Sequence, residues 1–152
     1  MNDSNWQKYT ETGNSFLSKE QKCCAYRFYQ SALTEAEQML MNSFEVENID
    51  IVVPALMISY QNLFNLLDSE NCYEDLCSYL SRATERFAGT LHSPEFPETV
   101  QENCCRDIHK LYHSLDLYGQ KYPIIYKECQ NCMRYLKEAI LYFALTLHGK
   151  KN

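Results

Sequence analysis

Helical spacing runs almost without interruption along this chain, and that continuity constrains the fold more than any single motif. Apolar residues recur at three- and four-residue steps in six segments. The first, about 4–17, carries Trp6, Tyr9, Gly13 and Phe16. The second, about 19–41, carries Ala25, Phe28, Tyr29, Ala32, Leu33, Ala36 and Leu40. A third, about 50–68, places Met57, Tyr60, Leu63, Phe64 and Leu67 on one stripe, and a fourth, about 72–90, does the same with Tyr73, Leu76, Leu80, Ala83 and Phe87. The fifth, about 96–117, has Val100, Cys104, Ile108, Leu111 and Leu115. The sixth, about 122–147, has Ile125, Cys129, Cys132, Met133, Leu136, Ile140, Phe143 and Leu147. Only the short run Ile49–Val53 could be read as a strand. Four glycines and four prolines in 152 residues are too few for a turn-rich sandwich or barrel. The expected fold is all-α: one domain over 1–152, built from three antiparallel helical hairpins at about 4–41, 50–90 and 96–147.

Helix ends are expected at the usual punctuation. Ser18-Lys19-Glu20-Gln21 reads as a capping box opening the second helix, and Asn71-Cys72-Tyr73-Glu74 as a similar start for the fourth. Pro54 belongs in the first turn of the third, where a missing N–H costs little. Gly89 is expected to end the fourth helix and Gly119 the fifth. Ser93-Pro94 should cap the fifth and Tyr122-Pro123 should start the sixth, with His148–Asn152 fraying.

Composition removes several function classes. With 45% hydrophobic and 13% aromatic residues the chain has anchors enough for a core, which excludes a disordered protein. A formal charge of −6 argues against nucleic acid as a partner. Met1–Asn5 has neither the basic nor the apolar region of a secretory signal, and no run approaches the 18 or so apolar residues of a membrane span. A cytoplasmic protein with no membrane partner is expected. There the eight cysteines would stay reduced and pack as small hydrophobes.

Equal hairpins invite a search for repeats. In the first hairpin Tyr9, Gly13, Phe16, Ala25, Tyr29 and Ala32 fall at the spacings of the tetratricopeptide repeat, which this region resembles. Leu63, Leu67, Tyr73, Leu80 and Ala83 extend the likeness into the second hairpin, with Phe64 and Leu76 where small residues are usual. The units are offset by roughly 51 residues instead of roughly 34. The chain is also similar to the small single-domain bacterial members of that superfamily. The resemblance implies an adaptor or chaperone-like module that holds a peptide or partner helix in a concave groove lined by the first helices of the hairpins. The residues placed there are Gln7, Thr10, Asn14, Asn62, Asn65, Lys110 and Ser114. Asn14, Asn62 and Lys110 fall where the family's carboxylate clamp has Asn and Lys. Thr10 and Ser114 stand where it has basic residues.

No phosphate loop, dinucleotide fingerprint, nucleophile elbow or calcium loop occurs, so neither an enzyme nor a cofactor is expected. Scattered carboxylates, among them Glu74 and Asp75, read as solvated helix faces. The acidic balance favours a basic partner segment. A second reading is a metal- or thiol-responsive regulator. His109 and His113 share a helix face, and Cys129-Gln130-Asn131-Cys132 on the next helix supplies two more ligand types. Against it, both thiols lie on an apolar stripe and inside a helix, where they read as core. The off-stripe tyrosines Tyr26, Tyr79, Tyr118 and Tyr135 suit an interface. Self-association through uncapped ends, giving a homo-oligomer, is the remaining partner reading. The polar outer face of the sixth helix (Lys127, Glu128, Arg134, Lys137, Glu138) argues against it.

Overall fold

Backbone hydrogen bonding turns the expected periodicity into six α-helices in a computed structural model that describes residues 3–151. They are α1 (Asp3–Ser18), α2 (Lys22–Met41), α3 (Val52–Ser69), α4 (Tyr73–His92), α5 (Glu98–Lys121) and α6 (Tyr126–Lys151). Short 3-10 turns at Ser43–Glu45, Ile49–Ile51 and Pro123–Ile125 complete the regular structure. Among the described residues there is no strand, and Ile49–Val53 enters α3 through one of these turns. Pro54 is the third residue of α3, and Pro123 opens the turn that feeds α6. The segment from His148 stays helical to Lys151. Asn152, like Met1 and Asn2, lies outside the described residues.

The chain divides into two units, Met1–Cys72 and Tyr73–Asn152, with three helices in each. In the first, α1 and α2 are antiparallel and packed closely enough to need a glycine. A Cβ at Gly13 would stand 2.7 Å from the Tyr29 ring. Ala25, Ala32 and Ala36 keep the rest of the α2 face flat and buried. Phe28 stacks on Phe16 at 5.4 Å and leans on Tyr9 at 6.4 Å. The Tyr29 hydroxyl donates to Asn14 Oδ1 at 2.7 Å. α3 packs antiparallel to α2, with Lys22 Nζ at the start of α2 reaching Glu70 (3.1 Å) and Ser69 (3.3 Å) at the end of α3. Trp6 in α1 donates its indole N–H to Ser59 Oγ of α3 at 2.7 Å. By length and composition Ile49–Ser69 would suffice to cross a membrane. In this structure most of α3 is buried in the first unit, and Ile58, Gln61, Asn62, Asn65, Asp68 and Ser69 form the one exposed or half-buried stripe of an otherwise apolar core helix.

Two helix ends differ from expectation. Ser18 is the last residue of α1, and its hydroxyl turns back to the Ser15 carbonyl instead of capping α2. Glu20 adopts φ 60°, with Glu20 N–H bonded to Leu17 O and Gln21 N–H to Phe16 O. That pair of bonds is a Schellman closure. Asn71 repeats it at φ 57°, with its N–H on Asp68 O and Cys72 N–H on Leu67 O. Both residues expected to open helices therefore close the preceding ones.

In the second unit α5 and α6 are antiparallel, and α4 packs along α6 as well as α5. Ser81 lies beside Glu128 and Cys132, and His92 beside Tyr135 and Tyr142, so α4 and α6 run parallel. Neither expected glycine stop is one. Gly89 lies within α4 and faces open space. Gly119 lies within α5, where an added Cβ would meet Cys129 Cβ at 3.0 Å, so it sets the α5–α6 approach. Ser93 accepts from Glu95 N–H in a turn, and α5 begins only after Pro97. The buried Gln101 side chain then donates to the carbonyls of Thr90 (3.1 Å) and Ser93 (2.7 Å), satisfying acceptors that the end of α4 leaves open.

Candidate functional site

Because α4 and α6 lie parallel with α5 behind them, their outward faces leave a furrow. Its larger part has a volume of about 700 Å3, and a second hollow of about 360 Å3 continues it. Ser81, Glu85 and Glu128 line both. Each side follows helical arithmetic. On α4 the lining residues include Glu74, Ser78, Ser81 and Glu85. On the other side they include Ile124, Glu128, Asn131 and Tyr135. Both sets run at steps of four, three and four; on α4 that is one helix face over three turns, while on the other side Ile124 comes from the turn before α6 and Glu128, Asn131 and Tyr135 continue along one α6 face. Ile124, 72% exposed, sits at one end and Tyr135 at the other.

The rim is acidic. Glu74, Glu85 and Glu128 are exposed, and none of the three is ion-paired among the described residues. Ser81 Oγ donates to Glu128 Oε1 at 3.4 Å. Arg82 is the cation that lines the furrow. Cys77 and Cys132 contribute to the lining from α4 and α6, with Cys129 buried beneath. Burial raises the Cys77 thiol above its ordinary range, and Glu128 adds to the shift. Burial also raises Cys132, against hydrogen bonds from Thr84 and Ser81. Cys129 is pushed up to about 12, chiefly by burial, with Cys77, Cys132 and Glu128 adding. All three are therefore neutral thiols near pH 7 and poor nucleophiles. The furrow presents apolar surface and negative charge.

The residues expected to line a first-helix groove are placed otherwise. Thr10 is buried and donates to Trp6 O, and Ser114 is buried and donates to Lys110 O, so both hydroxyls are used within their own helices. Asn14 is exposed but accepts from Tyr29. Gln7, Asn65 and Lys110 are exposed and Asn62 is half-buried. None of the seven lines the α4–α6 furrow. The metal set does not assemble. His109 and His113 are exposed, His109 Nδ1 lies 2.8 Å from Arg106 O, Cys129 is buried in the core and Cys132 is buried at the floor of the furrow. Among the described residues no group of three or more His, Cys, Asp or Glu is placed to hold a metal ion. Of the off-stripe tyrosines Tyr118 is buried, Tyr26 and Tyr79 are half-buried, and Tyr135 is exposed in the furrow.

Fold and furrow together define an all-α protein of six helices whose second unit carries an acid-rimmed surface groove. Residues 4–146 match the family model DUF2753, described as a protein of unknown function, and the chain belongs to that family. No curated protein and no solved structure matches it.

Proposed function

We propose that this protein is a non-enzymatic interaction module that holds a peptide or helical segment of a partner protein in the α4–α6 furrow. The observation that carries this reading is the furrow itself: an open channel with Ile124, Ile125 and Tyr73 supplying apolar surface under an acidic rim. Its volume lies in the range of pockets that bind ligands. Two parallel helices with a gap between their outer faces also suit the helix-in-groove mode of peptide recognition. The resemblance of the first hairpin to tetratricopeptide repeats supports a scaffold that presents a binding face. The furrow's thiols are held neutral by burial, which does not favour a redox role, and no group of three or more metal-ligating side chains assembles among the described residues.

The test is selection of a displayed library of random linear peptides on the intact protein. Selected peptides should lose about tenfold or more in affinity on Ile124→Asp, a change at an exposed position that leaves the core alone. No enrichment, or equal binding to the variant, would remove this reading.

A further inference from the structure

We infer that the occupant of the furrow is a cationic amphipathic helix of about three turns, with Lys or Arg at each end and aliphatic residues between. This rests on the furrow being a docking site, as proposed above. Glu74 and Glu85 are eleven residues apart on α4, a distance of about 16 Å along the axis. Eleven residues are close to three whole turns, so both carboxylates stand on one side of α4 at opposite ends of the channel. A helix laid along the same line repeats that arithmetic. Its own residues i and i+11 meet the two ends, while i+4 and i+7 fall over the middle.

The chemistry of each position follows. The ends are anionic and not ion-paired within the described structure, so a cation there gains attraction without displacing an existing partner. Glu128 extends the negative rim along the α6 side, whereas Arg82 supplies a single opposing charge. An acidic segment would meet like charge at both ends. Between the ends, the α4 side and the floor present Ser78, Ser81 and the thiols of Cys77 and Cys132, and the single central negative charge is the Glu128 carboxylate on the α6 rim beside Ser81. Leu, Ile or Met side chains fit such a centre, and the 72% exposed Ile124 offers them an apolar neighbour at one end.

The experiment uses the full chain and a displayed library built on a helix-forming background, randomised only at positions 1, 5, 8 and 12. Enrichment of Lys or Arg at 1 and 12, with aliphatics at 5 and 8, is expected. The selected peptide should bind about tenfold or more tightly at about 50 mM salt than its version with Gln at both ends. That advantage should vanish at about 500 mM salt and in a Glu74→Gln/Glu85→Gln/Glu128→Gln variant, which should keep the wild-type helical content and lose only a few degrees of thermal midpoint, because the three side chains are exposed and the loss is confined to first-turn charge at Glu74 and Glu128. Neutral or acidic residues at 1 and 12 would overturn the charge assignment while leaving the docking site intact. Equal binding to the triple variant would reduce the effect to attraction by the overall charge of −6 and overturn the inference. Failure of the helical library where the linear library succeeds would overturn the helical occupant alone. Failure of both would remove the docking site as well.

Discussion

A methyl group added at Gly13 would enter the Tyr29 ring, which cannot swing aside because it is buried and its hydroxyl is held by Asn14. At Gly89 the same methyl would meet open space inside α4. The two Gly→Ala changes should therefore have opposite signs. Gly13→Ala should cost about 1–3 kcal/mol through overpacking, outweighing the better helix propensity of Ala. Gly89→Ala should stabilise by about 0.5–1 kcal/mol. Urea midpoints measure both, and shifts of the same sign would refute the packing argument. Residue-level punctuation was the least legible layer of the sequence. Helix-closing positive φ falls on Glu20 and Asn71, neither a glycine, while Gly89 and Gly119 continue their helices. The Schellman bonds that fix Glu20 depend on chain direction after Ser18, which no side chain announces.

At the scale of elements, the six helices were legible because a 3.6-residue period survives in every one. The furrow was not. Its two sides come from α4 and α6, which are separated in sequence by α5, and Glu74 and Glu128 each look like ordinary solvated-face residues until the helices lie side by side. The outer face of α6 also changes character along its length. As far as Glu138 it carries Lys127, Glu128, Arg134, Lys137 and Glu138 beside the exposed rings of Tyr126 and Tyr135, but beyond it Leu141 and Leu145 are 60% and 64% exposed, so the polar cap expected for α6 covers only its first part. The inner face of α6 makes a pH prediction together with α5. Burial pushes Cys104 and Cys129 up to about 12, from an ordinary value of 9.0. Between those values the unfolded chain releases both protons while the folded chain keeps them. The thiols' contribution is thus intact below pH 9 and is lost as pH rises above it, by at most about 1.4 kcal/mol per pH unit for each thiol. A Cys104→Ala/Cys129→Ala variant should show a shallower alkaline decline in denaturant midpoints than wild type. Parallel declines would contradict the assignment.

For the whole molecule, the all-α stack of helical hairpins read from the sequence holds, and the packing adds a division after Cys72 into two units of three helices. Periodicity locates helices but carries no record of which neighbours each one chooses. In the first group Trp6 ties α1 to α3 through Ser59, a contact across 53 residues of chain. Ser59→Ala should leave the buried indole N–H without its acceptor and cost about 1–3 kcal/mol, read from chemical denaturation; an unchanged midpoint would mean that the bond contributes nothing net. Trp6 is also the only tryptophan in the chain. Its emission spectrum is therefore a built-in optical reporter of the α1–α3 packing in the first unit, whereas far-ultraviolet ellipticity sums all six helices. Recording both signals in a single melt would reveal, without any label or truncation, whether the two halves of the chain lose structure together or in turn.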